Sequence, residues 1–254
     1  MNKTAKLYIT IITLITIAAI AIGLYIHVWD GGIGFSAKQI SDTVDVSNNI
    51  TNVDIDADFS DITIEYGSAA SVSYSIYTTK APTIEENNGD LSIKVKQNNT
   101  FFLPMGNHEN NLTVTIPNGT NLSNVRIIGD AGSVKLNDII GNSVNLEADA
   151  GDIKCNNVTF NNFVVEADAG NVEFTDCKTD TLNVKLDAGN LNLKNSEIET
   201  ITAEADAGNI ESTDCTIKGG SVETDMGNIE LNGDIGQVST KTDLGNVKVN
   251  GSKK

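Results

Sequence analysis

One carboxylate returns along this chain at a fixed interval. Asp130, Asp149, Asp168, Asp187, Asp206, Asp225 and Asp243 follow one another at steps of 19, 19, 19, 19, 19 and 18 residues. Carboxylates in a column are oxygen ligands for a hard cation, and calcium is the metal such a ladder would hold. Each period, however, supplies one regular carboxylate at this place, whereas calcium takes about 6–8 oxygens. The motif also has a structural use. It reads Asp-Ala-Gly, then Asp-Met-Gly and Asp-Leu-Gly in the last two copies, with Asn following at Asn171, Asn190, Asn209, Asn228 and Asn246. An Asp side chain can accept a backbone N–H two residues on, in an Asx-turn. Gly permits positive φ, Ala is small enough to turn inward at a corner, and stacked Asn amides can hydrogen-bond along a ladder. A turn device is the favoured reading and a calcium ladder the alternative.

The remaining chemistry-bearing residues are scattered. Glu147, Glu166, Glu204 and Glu223 form a second acid column, interrupted by Lys185, which suits solvated ladder pairing. The three cysteines fall as Cys155, Cys177 and Cys215. An odd number excludes a complete intrachain disulfide framework. His27 and His108 are isolated, and no nucleophile motif, phosphate loop or metal-ligand cluster is visible. We therefore expect no enzyme, no catalytic residue and no cofactor. Enzymes built on stacked β-coils need long loops to wall a cleft, and a 19-residue step leaves almost no room for them.

The interval itself dictates the element that positions these residues. Counting each Asp as position one, position five is Val134, Ile153, Val172, Leu191, Ile210, Ile229 and Val247. Positions seven, fifteen and seventeen are also mostly apolar, with polar residues between them. Such alternation marks short strands with one face inward. A fixed period of this length is the mark of a stacked repeat. Nineteen residues are too few for the two helices of common helical repeats. The chain is expected to be all-β: a parallel β-solenoid of 19-residue coils, right-handed as parallel crossovers strongly prefer. Each strand then pairs with its copy about 4.8 Å away, so like residues stack on like. On that spacing Cys177 and Cys215, both at position ten, stand two coils apart, beyond the reach of a disulfide. Cys155, at position seven, reads as a small buried core residue. Met226 and Leu244 are expected to fill the open end.

Upstream, alternating runs at Val53–Ala57, Ile62–Tyr66, Val72–Ile76, Leu91–Val95, Leu112–Ile116 and Val125–Ile127 read as strands without a fixed period. Gln97–Asn111, with Phe101, Phe102 and His108, lacks alternation and reads as a protruding loop or lid. At the N-terminus, Leu7–Val28 is an almost unbroken apolar run, about 33 Å long as a helix and enough to span a bilayer. Lys3 and Lys6 precede it and Asp30 follows, which places the N-terminus in the cytoplasm and the β region outside. A cleaved signal peptide is the alternative, but this run exceeds the usual apolar length. The expected organisation is a cytoplasmic tip and membrane helix over 1–29 and a spacer over 30–42. An irregular β region over 43–128 and the regular solenoid over 129–254 follow.

Acids outnumber bases 34 to 17, a net charge of −17, and Arg126 is the lone arginine. That balance lacks the basic footprint of a nucleic-acid binder. It suits a solvated surface, or one that attracts cations and cationic peptides.

The N-terminal anchor, Thr43-Val44-Asp45-Val46, the strand and turn Leu112-Thr113-Val114-Thr115-Ile116-Pro117-Asn118-Gly119, and the Asp-Ala-Gly-Asn coils together resemble the bacterial "putative adhesin" β-strand-repeat family, which includes the LiaG-like proteins. The resemblance spans about residues 43–250. It implies a single-pass cell-membrane protein with an adhesin-like β domain outside, linked with cell-envelope stress, and it carries no site residues with it. The expected function is a non-enzymatic envelope interaction or structural module, with cell-wall polymer, an envelope protein or its own copies as partner. The alternative is an envelope-stress component that binds cations or cationic peptides through its acidic surface.

Overall fold

The computed structural model describes residues 37–96 and 109–251. The apolar run at 7–28 with His27, residues 97–108 with His108, and residues 252–254 lie outside the described residues. Among the described residues no helix is long and apolar enough to cross a membrane. Every regular element there is a strand.

The repeat region is a parallel β-solenoid of roughly seven 19-residue coils, each built from one long and one short strand. The long strands are β8 (Asn121–Ala131), β10 (Ile140–Ala150), β12 (Thr159–Ala169), β14 (Lys178–Ala188) and β16 (Glu197–Ala207). The short ones are β9 (Val134–Asn137), β11 (Ile153–Asn156), β13 (Val172–Thr175) and β15 (Leu191–Lys194). Long stacks on long and short on short, in parallel and in a constant register of 19. Beyond them β17 (Ile210–Met226) and β18 (Ile229–Leu244) run through both parts of a coil, and β19 (Val247–Gly251) ends the stack.

The interior follows from the alternation. In the coil that starts at Asp149, residues 153, 155, 158, 160, 163, 165 and 167 point inward and are buried. Side-chain sizes compensate between neighbouring coils. Gly141 lies under Phe160, whose ring carbon would sit 2.2 Å from a Cβ at that glycine. Cys155 lies between Leu136 and Phe174 in the register. The room so made holds three rings, with Phe163 edge-on to both Phe160 and Phe174 at centroid distances of 5.9 and 4.9 Å. All three cysteines are free and buried, in agreement with their spacing. Burial pushes the Cys177 thiol up to about 11, so these thiols are poor nucleophiles in the fold.

Upstream the coils continue out of sequence order. β2 (Asn52–Phe59) and β3 (Asp61–Gly67) form a coil directly beneath β8 and β9. β6 (Asp90–Val95) and β7 (Asn111–Pro117) form the coil beneath that one, although they come later in the chain. The coil of β2 and β3 is thus enclosed by segments that follow it. The lower end is closed by antiparallel strands: β4 (Ser71–Thr78) on β7, β5 (Thr83–Asn87) on β6, and β1 (Lys38–Asp45) on β4. β1 begins inside the stretch expected to be a spacer. Its Ile40 and Val44 pack on the core, and it covers the otherwise free edge of β4. The expected loop is likewise shorter at its end, because Asn111 already pairs with Asp61.

The one 18-residue step has a local cause. Ser212 pairs with Leu231 and Cys215 with Gly233, so Thr213 and Asp214 oppose a single residue. The deletion falls at the corner opposite the Asp motif and leaves the core columns in register.

Candidate functional site

The Asp-Ala-Gly-Asn corner divides into two residues that build the rod and two that face solvent. The glycine is fixed twice over. Its φ runs from 125° at Gly132 to 156° at Gly208, a region that side chains disfavour. A Cβ on Gly170, Gly189 or Gly208 would also lie 2.1, 1.8 or 1.7 Å from the carbonyl oxygen of the glycine one coil before. The glycine N–H donates to the next coil, as in Gly151 to Ala169 O at 2.9 Å. This overturns the expected Asx-turn: the N–H that the Asp would have accepted is committed to the backbone ladder.

The asparagine is the true side-chain staple. Its Oδ1 accepts the backbone N–H of the Asn one coil on: Asn209 N to Asn190 Oδ1 is 2.9 Å and Asn228 N to Asn209 Oδ1 is 2.8 Å. The amide groups also bond to each other, Asn190 Nδ2 to Asn171 Oδ1 at 2.9 Å. Asp152 and Asp61 begin the same column, accepting from Asn171 N at 2.9 Å and Ser133 N at 2.7 Å. Each side chain therefore satisfies a corner N–H that the turn leaves open.

The alanine faces outward, contrary to expectation. Residues 150, 169 and 188 are exposed, and the larger residues at this position are too: Phe59 at 49%, Met226 at 55% and Leu244 at 69%. Met226 and Leu244 thus extend an outer column and do not plug the core. Small size had pointed inward, but the corner bends at the Asp, and the inward place beside it belongs to residues 148, 167, 186, 205 and 224.

The seven Asp side chains are exposed. Strand pairing skips Asp149 and Asp168: Ala148 pairs with Ala167 and Ala150 with Ala169, with both carboxylates in the bend between. Asp58 stands beneath Asp130 and adds one more acid to the column. There Lys96 reaches Asp56 at 2.7 Å and Asp58 at 2.9 Å. These hydrogen bonds, that to Asp56 first, hold the ammonium above its ordinary pKa. Asp130 is pushed up from its ordinary value, first by desolvation, then by the charges of Asp58 and Asp149. At the upper end Lys241 lies 3.5 Å from Asp243. Among the described residues no group of three His, Cys, Asp or Glu is placed to hold a metal ion. The Glu147–Glu166–Lys185–Glu204–Glu223 column is also in register and exposed.

The second corner was missed from the sequence. Asp138, Asn157, Asp176, Asn195 and Asp214 all adopt positive φ, between 46° and 60°. Asn157 Nδ2 donates to Asp138 Oδ1 at 2.8 Å, and Asn195 donates likewise to Asp176. Asp and Asn tolerate this conformation best after Gly. Their recurrence at a 19-residue step was the available signal.

This coil and its paired corners define the class. The chain belongs to the Toastrack DUF4097 family, whose pattern matches residues 50–253. A "putative adhesin" from Bacteroides fragilis NCTC 9343 has a similar structure, with a TM-score of 0.62 at 15% identity over 84% of this chain and 97% of its own. A "putative lipid binding protein" from Parabacteroides distasonis ATCC 8503 gives 0.52 at 16% identity, over 87% and 98%. At such identities the likeness is one of fold. It agrees with the adhesin-like β-strand-repeat group that the sequence resembles. No curated protein matches.

Proposed function

We propose that this protein is a membrane-anchored, extracytoplasmic, adhesin-like rod that binds cell-envelope material without turning it over. The observation that carries this reading is the outward half of the repeated corner. Seven coils present Asp carboxylates along one edge, five of them beside an alanine and the last two beside Met226 and Leu244, in register from coil to coil. Columns of like groups at a constant spacing suit a partner that is itself extended, such as a wall polymer or an envelope protein, which is met at many weak points. The 19-residue step from Asp130 to Asp225 adds no loop that would wall a cleft. The apolar run at 7–28, preceded by Lys3 and Lys6, supplies the anchor and the outward orientation of the β domain. The test is to incubate the full chain in nanodiscs with isolated envelope. The expected result is retention of envelope material with no soluble fragments released. Release of cleavage products contradicts the reading.

The exposed Asp column and the charge of −17 favour a second reading, capture of cations or cationic peptides as part of an envelope-stress response. It predicts binding that weakens steeply between low and high salt. Affinity unchanged by salt would remove it.

A further inference from the structure

The two ends of the rod differ in what covers their backbone edges. At the lower end β4 lies antiparallel on β7 and β5 antiparallel on β6. At the upper end β19 covers β18 only along Ile229–Gly233. From Ile235 to Leu244 the outer edge of β18 has no strand partner among the described residues, and neither has the outer edge of β19. Side chains at core positions surface there. Val247 and Val249 continue positions five and seven yet are 43% and 44% exposed. This end is also nearly neutral. Between 229 and 254 the acids Glu230, Asp234 and Asp243 stand against Lys241, Lys248, Lys253 and Lys254, a net charge of 4 − 3 = +1. Lys248 is bonded to Glu230 at 2.6 Å.

We infer that this end docks the same end of a second copy, with the β18 and β19 edges of two chains pairing antiparallel about a two-fold axis. Two rods brought head to head about such an axis present antiparallel edges by symmetry. The lower end shows that a coil edge of this solenoid accepts antiparallel strands, since β4 and β5 occupy that position within the chain. The pairing satisfies N–H and C=O groups of the edge that have no strand partner among the described residues, and covers Val247 and Val249. Charge selects the end over the sides: two rods of −17 repel along their acidic columns and meet with least repulsion where the net charge is only +1. β1 closes the opposite end, so the joined rods carry β1 at the two far ends. The inference stands independently of whether the long faces bind envelope material.

Sedimentation equilibrium of the full chain in density-matched detergent tests it. The expected protein mass is twice 26.9 kDa. The double variant Val247→Lys with Val249→Lys, and separately Val249→Lys alone, should each weaken the dimer by about tenfold or more, because a buried lysine in either place lacks a partner. Val249→Lys alone keeps the test decisive if the double variant loses its β-sheet circular dichroism. A single-copy mass at all concentrations overturns the inference. So does a dimer of unchanged affinity in a folded lysine variant, which would place the contact elsewhere, for example in the N-terminal segment. Failure to bind envelope material leaves the expected mass unchanged, so the two proposals fail separately.

Discussion

The glycine and asparagine columns run along the same edge of the rod as the aspartate and alanine columns, one residue apart, and the two pairs obey different constraints. Gly189 has its would-be Cβ 1.8 Å from a backbone oxygen, and Asn190 bonds both to the coil before and to the coil after. Asp187 and Ala188, their immediate neighbours, are exposed. Equal regularity in the sequence therefore has two origins. Sterics and hydrogen bonding hold the glycine and asparagine. The strand geometry sets the outward direction of the other two without requiring their chemistry, which leaves their repetition available to a surface function.

Substitutions can break this contrast, and the largest effect is expected at the glycine. Gly189→Ala should destabilise by about 3 kcal/mol or more, because strain in φ and an overlap with backbone act together. Chemical denaturation would show it, and a loss under about 1 kcal/mol would mean that the coil shifts to accept the methyl group. Asn190→Ala should cost about 1–2 kcal/mol, since it removes the acceptor for the Asn209 N–H. Ala188→Ser should stay within about 0.5 kcal/mol, as exposed changes do.

The smallest effect sharpens the comparison through pH. Asp130 has its folded-state pKa raised by desolvation and by neighbouring acids. The folded state thus holds this proton more tightly than the unfolded chain. Its contribution falls as pH rises through the window above the ordinary value of 3.8, the reverse of a salt-bridged Asp. Asp130→Asn should flatten the stability profile in that window and raise the melting temperature slightly at neutral pH. A loss of stability at neutral pH would mean that the carboxylate has a structural partner.

The solenoid was legible because the period survives through the coils from Asp130 on, and the apolar positions five, seven, fifteen and seventeen repeat with it. The inward positions ten, twelve and nineteen were less visible, because they mix types: position ten reads Ile139, Val158, Cys177, Ser196 and Cys215. Ser196 is tolerated inside since its hydroxyl donates to Lys194 O at 2.7 Å and accepts the Cys177 N–H. The direction of the alanine is not legible from its size, because the bend at the Asp turns two successive side chains outward. The out-of-order coil of β2 and β3 left no periodic trace. Its pairings with β6 and β8 join residues 38 and 72 apart in the chain, and both segments alternate in the same way. The closed lower end was equally hidden, since antiparallel and parallel strands share one alternation.

The central claim is that the aspartates of the corner are surface and not scaffold. Scanning calorimetry of the triple variant Asp168→Asn, Asp187→Asn and Asp206→Asn, alongside Gly189→Ala and with and without calcium, tests it most directly. The account predicts that the triple variant melts at or slightly above the unaltered protein, with no shift on adding calcium to either, while the single glycine variant melts far below. A triple variant that melts as low as the glycine variant, or an unaltered protein that gains stability with calcium and loses that gain in the triple variant, would contradict it.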